Sequence, residues 1–413
     1  MTMKASDKVD HQRINARLDE MAKIGATAGG GVNRQALSTE DAAAQSLLIA
    51  WGAEIGLEPS IDEIGNLFLT LAGTDPGLDP VMTGSHMDSQ PTGGRYDGIY
   101  GVMASLEALH AIVDAGMKPA RGIELVSWVN EEGSRFAPSL MGSGVHAGTR
   151  SLADALALRD ADGVSVAEAI EAMEPVLGHV PRRPLGRQAA CYVEAHIEQG
   201  PVLERNDETI GIVTGIQGKH TYRVTVTGEA AHAGTAPHKE RKDALMAAAR
   251  IVLALGREFE DPEDITRYTV GRFNVSPNAP SVVPREVVFS IDLRHPDGAR
   301  LIQMSDSVQE ICAGQAGPCT VRAVRLYEAA PIVFDDGIQD IIEKAASGLS
   351  VPHRRMLSAA GHDAGLMQHA CPSGMLFIPS KDGITHNEAE YSHPSDITEG
   401  ARVLADVLAR LAG

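Results

Sequence analysis

The stretch VMTGSHMDSQPTGGRYDGIYGVMASLEALHAIVD (81–114) decides how this chain is read. It opens on an apolar, strand-like run ending at His86 and passes through a polar turn, Gly93-Gly94-Arg95-Tyr96-Asp97-Gly98. It closes on a helical pattern over 98–114, in which Ile99, Val102, Met103, Leu106, Leu109 and Val113 recur at the spacing of one face. A strand, a glycine turn and a helix in that order make one unit of an α/β layer. His86, Asp88 and Asp97 stand where the strand hands over to the helix, and no packing need asks for those residue types there.

The same grammar continues outward. Upstream, 7–24 reads as an amphipathic helix broken by Gly29-Gly30-Gly31, 39–56 as a second helix capped by Ser38 or Thr39, and 61–71 as a strand pair or extended run. Downstream, 123–129 is a buried strand followed directly by Glu131-Glu132, and 192–197 is another that carries His196. Between about 212 and 326 the pattern changes. Strands at 222–226, 267–275, 287–294 and 320–326 alternate with helices at 243–255 and 300–311, giving the order βαββαβ of a small sandwich with one helical face. After it a strand at 374–378 precedes His386, and 396–411 is a closing helix capped by Ser395 or Asp396. The expected fold class is therefore α/β with two domains. A large α/β metal-binding domain with a mixed central sheet spans 1–211 and 327–413, and an inserted α+β lid and dimerisation domain spans 212–326.

Composition narrows the function. With 413 residues, 43% hydrophobic and 22% charged, the chain is an ordinary globular protein. A formal net charge of -19 argues against nucleic-acid and anionic-membrane partners, which need basic patches. No run approaches the ~20 apolar residues of a membrane span. The N-terminus MTMKASDKVDHQRIN lacks the apolar core of a secretory signal, and none of Cys191, Cys312, Cys319 and Cys371 forms a C-x-x-C pair. A cytoplasmic protein with reduced, buried thiols is expected.

His86, Asp97, Glu131-Glu132, His196 and His386 follow one another in an order able to hold two divalent ions. Asp97 is the candidate bridge, since a carboxylate has two oxygens. His86 and His196 would complete one ion, Glu132 and His386 the other. Adjacent carboxylates at a strand end point in different directions, so Glu132 can bind metal while Glu131 stays free as the base. Asp88 could take the second ring N–H of His86 and fix its tautomer. Imidazole and carboxylate ligands suit Zn, Mn, Co or Ni. A lone histidine at a strand end is usually structural, and paired glutamates are usually a solvated surface. It is the joint occurrence that points to a metal-assisted hydrolase. In the inserted block, His232 lies among small residues, Ala230-Ala231-His232-Ala233-Gly234, where it is either a turn histidine or a donor to an oxyanion. Arg294 ends a strand and either grips a carboxylate or pairs with Asp292 or Asp297.

The segments TGSHMDSQPTGGRYDGIYGV (83–102), NEEGSRF (130–136), EAHIEQGPVLE (194–204), GEAAHAGTAP (228–237), SIDLRHPD (290–297), GHDA (361–364) and ITHNEAEYS (384–392) resemble the hydantoinase/carbamoylase branch of the M20 metallopeptidase-like amidohydrolases over nearly the whole chain. The resemblance implies metal ligands at His86, Asp97, Glu132, His196 and His386, and Glu131 as base. His196 marks the branch, where peptidase relatives tend to have a carboxylate. It further implies that His232 polarises the scissile carbonyl and comes from the partner subunit's lid. Arg294, helped by backbone near Gly361, would bind the substrate α-carboxylate, and Gln199 would contact the ureido group. Two departures stand out. Where relatives show Pro-Asn-x-x-Asn, this chain reads Pro277-Asn278-Ala279-Pro280-Ser281, so Ser281 replaces an expected substrate contact and Asn278 is either a contact or a turn residue. Thr221 stands where the allantoate type would show a basic residue. Both favour N-carbamoyl-L-amino acids over allantoate.

The expectation is thus a homodimer with two divalent ions per subunit (Zn, or Mn, Co or Ni), hydrolysing the ureido C–N bond of N-carbamoyl-L-amino acids or close ureido acids by metal-bound hydroxide. Allantoate or ureidoglycolate hydrolysis and M20-type dipeptidase or N-acyl-amino-acid deacylase activity are the alternatives. A catalytically idle binding protein would lack a use for Glu131, and a two-metal phosphoesterase would need a basic cluster that is not seen.

Overall fold

The computed structural model describes residues 4–413. It divides into two compact units, Met1–Thr214 with Phe334–Gly413, and Gly215–Val333. The boundaries fall three and seven residues beyond those read from the sequence; the first lies within the strand Ile210–Ile216, and the strand expected to end at 326 runs on to Ala329.

The larger unit is built on a mixed sheet. Its order is Glu58–Ile61, Leu67–Leu71, Ile123–Trp128, Val81–His86, Cys191–Ile197, Ser373–Ile378 and Ile210–Ile216, with His353–Ser358 also pairing to Ile210–Ile216. The four middle strands are mutually parallel, and every residue in them is buried. Continuous burial explains why they read as apolar runs without alternation. Because they run in parallel, their C-terminal ends lie along one edge of the sheet. His86 and His196 stand at or next to those ends, Glu131-Glu132 follow another, and His386 lies in the loop after the fourth.

The helix predicted over 98–114 forms as Ile99–Asp114 and is buried on almost all sides. It packs on Val81–His86 and beneath the closing helix Pro394–Ala412. Each fully buried aliphatic side chain here contributes roughly 1.5–3 kcal/mol. The closing helix starts at Pro394, with no side-chain cap from His393, Ser395 or Asp396. Proline at the first helical position lacks the N–H that a cap would serve. The helix expected over 7–24 divides into a 3-10 turn, Ala5–Lys8, and His11–Met21, because the Asp10 carboxylate accepts from Gln12 and Arg13 and starts a new helix. Four short helices between Met141 and Leu177 lay in a segment for which sequence patterns had suggested nothing.

The smaller unit has a five-stranded antiparallel sheet rather than the expected four. Phe273–Ser276, Glu286–His295, Gly218–Thr227 and Thr320–Ala329 are neighbours in that order, and Arg267–Thr269 pairs separately with Glu286–His295. The run read as one strand at 267–275 is therefore two. Helices Ala244–Glu258 and Gly298–Gln315 pack on one face over Tyr222, Val224, Val287, Phe289 and Ile291. A short ladder missed in the sequence joins Ala231–His232 to Val282–Val283.

Among the described residues no helix is long and apolar enough to cross a membrane. All four cysteines are free and buried.

Gly98 makes the turn into the buried helix possible. Its φ is +65°, and a Cβ there would lie 2.3 Å from the His86 ring. Gly98→Ala should cost about 1–2 kcal/mol from the left-handed backbone alone and should displace His86. Melting temperature and bound metal by elemental analysis should both fall; no change in either would contradict this packing.

Candidate metal centre

His86 and His196 reach the C-terminal edge of the sheet with their tautomers already set. The His86 Nδ1–H donates to the Asp88 backbone carbonyl at 2.9 Å, and the His196 Nδ1–H donates to the Ile197 carbonyl at 2.9 Å. A carbonyl only accepts, so each Nε2 is left with its lone pair. His196 Nε2 lies 3.3 Å from Asp97 Oδ1, and His86 Nε2 lies 4.0 Å from the same oxygen and 3.6 Å from Glu131 Oε2. Asp88 takes the ring N–H of His86, as expected, through its backbone carbonyl, while its carboxylate, 3.7 Å from the ring, accepts the backbone N–H groups of Glu131 and Glu132. Asp88 thus holds the histidine with its carbonyl and the paired glutamates with its side chain.

The other Asp97 oxygen faces a different group. His386 Nε2 is 3.2 Å from Asp97 Oδ2 and 3.5 Å from Glu132 Oε2. Gln199 Nε2 donates to Asp97 Oδ2 at 2.9 Å and to Thr385 Oγ1 at 3.2 Å. The side chain assigned to the ureido group therefore also grips the central aspartate. His86, Asp97 and His196 form one cluster with metal-ligating spacing, and Asp97, Glu132 and His386 form another. Two ligands bound at about 2.0–2.2 Å in a tetrahedral shell stand roughly 3.3–3.5 Å apart, and the separations above bracket that value. A third cluster, Glu194, His196 and His362, draws on the same Nε2 of His196, which also accepts the Gly98 N–H at 3.2 Å, and so competes with the first. Glu194 is moreover engaged by Ser85 and the Ala364 N–H.

Electrostatics fit the same reading. Burial, with Asp363, Glu132, Asp88 and Asp97 as like charges, pushes Glu131 well above the usual carboxylate range. Burial and Asp97 push Glu132 up to about 7. Burial pushes His86 down to about 4, keeping it neutral. His386, whose side chain is 47% exposed, is pushed up to about 9, chiefly by its hydrogen bond to Asp97. Although burial opposes it, that bond together with the neighbouring His196 and His86 rings holds Asp97 below the usual range. Buried carboxylates that repel one another are costly unless cations compensate them. The neutral His86 imidazole beside them is a donor of the kind divalent ions take.

The sequence singled out three of the surrounding side chains only as letters within motifs. His362 packs its ring on His196 at 4.6 Å between centroids. Asp363 accepts from Ser143, and Glu390 anchors the Asp97 turn. No spacing rule flags them, since each acts through contacts remote in the chain. Gly361 is an exposed loop residue preceding His362.

Four candidates belong to the smaller unit. His232 Nδ1 accepts from the N–H groups of Gly234 and Thr235, so the ring proton sits on Nε2 and that nitrogen is a donor. Ser281 is its neighbour across the short ladder, its carbonyl accepting from the Ala233 N–H. Asn278 holds a left-handed backbone, φ +57°, as a turn residue does. Arg294 donates through Nε to Asp292 Oδ1 at 2.9 Å, and Lys219 lies 3.2 Å from the other Asp292 oxygen.

Residues 82–410 match the sequence pattern described as peptidase family M20/M25/M40. An N-carbamoyl-L-amino-acid amidohydrolase of Rhizobium meliloti is 38% identical, with 97% of this chain and 96% of that protein aligned. An allantoate amidohydrolase of Bacillus subtilis (strain 168) is 36% identical over 97% of each chain. The crystal structure of a hydantoinase/carbamoylase family amidase from Burkholderia multivorans superposes with a TM-score of 0.93 at 42% identity, covering 98% of both chains. Fold, motifs and relatives agree, and the chain belongs to peptidase family M20/M25/M40, among its hydantoinase/carbamoylase amidases.

Proposed function

We propose that the chain hydrolyses the ureido C–N bond of N-carbamoyl-L-amino acids with two divalent ions, Zn or else Mn, Co or Ni. The observation that carries this is the division of Asp97 between two donor groups: Oδ1 faces His86 and His196, and Oδ2 faces His386. In this reading Asp97 bridges, His86 and His196 complete one ion, and Glu132 and His386 complete the other. When bound, the ions would supply Lewis acidity, lowering the pKa of a water molecule and polarising the carbamoyl oxygen. Glu131 takes the proton from the attacking water and returns it to the leaving nitrogen. Its carboxyl is suited to holding a proton between those events, being buried among other acids. Asp88 keeps Glu131 and Glu132 in fixed relation through their backbone N–H groups. The carbamate released would break down to ammonia and carbon dioxide, leaving the free amino acid.

The substrate assignment is supported by the Rhizobium meliloti relative, by Thr221, which stands where the allantoate type would show a basic residue, and by Ser281, which replaces an Asn common among relatives. Allantoate is the second reading, favoured by the nearly equal identity to the Bacillus subtilis enzyme. With metal-loaded protein, kcat/KM should be highest for an N-carbamoyl-L-amino acid in a panel with N-carbamoyl-β-alanine, allantoate, ureidoglycolate and a dipeptide. A higher value for any of the other four would displace the assignment. Glu131→Gln should keep its metal and lose about 10²–10⁴ in kcat; a near-normal rate would remove Glu131 from the base role.

We also propose a homodimer paired through the edge strand Thr320–Ala329, which exposes Leu326 and Tyr327 and has only one sheet neighbour. Light scattering that returned the 43.7 kDa of a single chain at every concentration would contradict it.

A further inference from the structure

His386 poses a mechanical problem. Its side chain is half exposed, its backbone is left-handed at φ +50°, and the loop ITHNEAEYS around it has only a 3-10 turn, Lys381–Gly383, before it. Asp97 likewise sits in an irregular glycine turn. By contrast, His86 and His196 stand on buried strands. The first donor group is therefore fixed by the sheet, while the second depends on two loops keeping their separation.

We propose that Glu390 is the positioning residue that sets this separation, and that the ion between Asp97, Glu132 and His386 depends on it. Glu390 is buried. Its Oε1 accepts from the backbone N–H groups of Tyr96 at 2.9 Å and Asp97 at 3.0 Å. Its Oε2 accepts from the Thr385 hydroxyl at 3.1 Å, and that hydroxyl also lies 3.2 Å from Asp97 Oδ2. One carboxylate thus joins the backbone of the bridging aspartate to the residue preceding His386. With three donors on its two oxygens, Glu390 is a brace and takes no ligand position. Gly94 leaves it room, for a Cβ there would come within 2.0 Å of the carboxyl.

An outer brace repeats the arrangement. Glu388 accepts from the Thr27 hydroxyl and lies against Gly29 and Gly31, where added Cβ atoms would meet it at 2.1 and 2.8 Å. Val32 and Gly93 exchange backbone hydrogen bonds, each 3.0 Å, which ties the same loop to the Asp97 turn. The glycine triplet that looked like a simple helix breaker is the seat of this brace.

The inference rests on the two-ion reading, so wild-type protein is measured in parallel. Wild type, Glu390→Ala and Glu390→Gln are loaded with Zn²⁺, counted by elemental analysis and challenged with a chelating dye. Metal-free melting curves report global stability. Glu390→Ala should keep one ion tightly and bind the other about 10–100-fold more weakly. Glu390→Gln should recover most of that loss, because its amide oxygen still accepts from Tyr96 and Asp97. If Glu390→Ala does not fold, Thr385→Val, which cuts the link to Asp97, should weaken the same single ion. Two tightly held ions in the variant that folds, or equal weakening of both, would overturn the proposal. A wild type holding one ion would instead refute the two-ion reading.

Discussion

A buried aspartate surrounded by three imidazoles is the constraint on which the site depends. Asp97 has one oxygen toward His86 and His196 and the other toward His386. A charged carboxylate at that depth is tolerable only with cations or donors on both sides. Within the chain the compensation comes from His386, raised to about 9, and from Gln199 and Thr385. The nearby acids Glu131, Glu132, Asp88 and Asp363 are all pushed upward by burial and by one another. The pocket thus gathers more carboxyl groups than the chain alone can keep ionised, beside imidazole and carboxylate donors of the kind divalent cations take.

The fold serves this constraint by bringing four parallel strands to one edge. His86, the Glu131-Glu132 pair, His196 and His386 come from the ends of those strands or the loops that follow, and ligand sites in open α/β sheets form at such ends. The rigid part of the centre is therefore paid for by the hydrophobic sheet and the buried helix Ile99–Asp114. The loop-borne part relies on local polar contacts, and this asymmetry is why Glu390 and Glu388 brace it.

The candidate ligand set stood out because telling residue types lay at the ends of strands that apolar patterning could locate, or in the turns and loops that follow them. His86 and Asp97 are eleven positions apart on one strand–turn–helix unit, and the pairing of Glu131 with Glu132 is visible in the letters alone. What was not legible depends on contacts between distant segments. Glu390 and Asp97 are 293 positions apart, and nothing in the spacing of either announces the other. The sequence pointed to Asp88 as the acceptor of the His86 ring proton but not to the oxygen used: a residue two positions from a histidine can accept through either carbonyl or carboxylate, and only backbone geometry chooses. The alternation that located Glu286–His295 and Gly218–Thr227 could not show that 267–275 holds two strands, since the break at 270–272 has no proline to mark it.

The central claim is that Asp97 is shared between two ions, and anomalous diffraction from crystals soaked with Zn²⁺ tests it most directly. The account predicts two peaks, one bonded by His86, His196 and an Asp97 oxygen, the other by Glu132, His386 and the second Asp97 oxygen. A single peak, or two peaks with Asp97 bound to neither or only one of them, would contradict it.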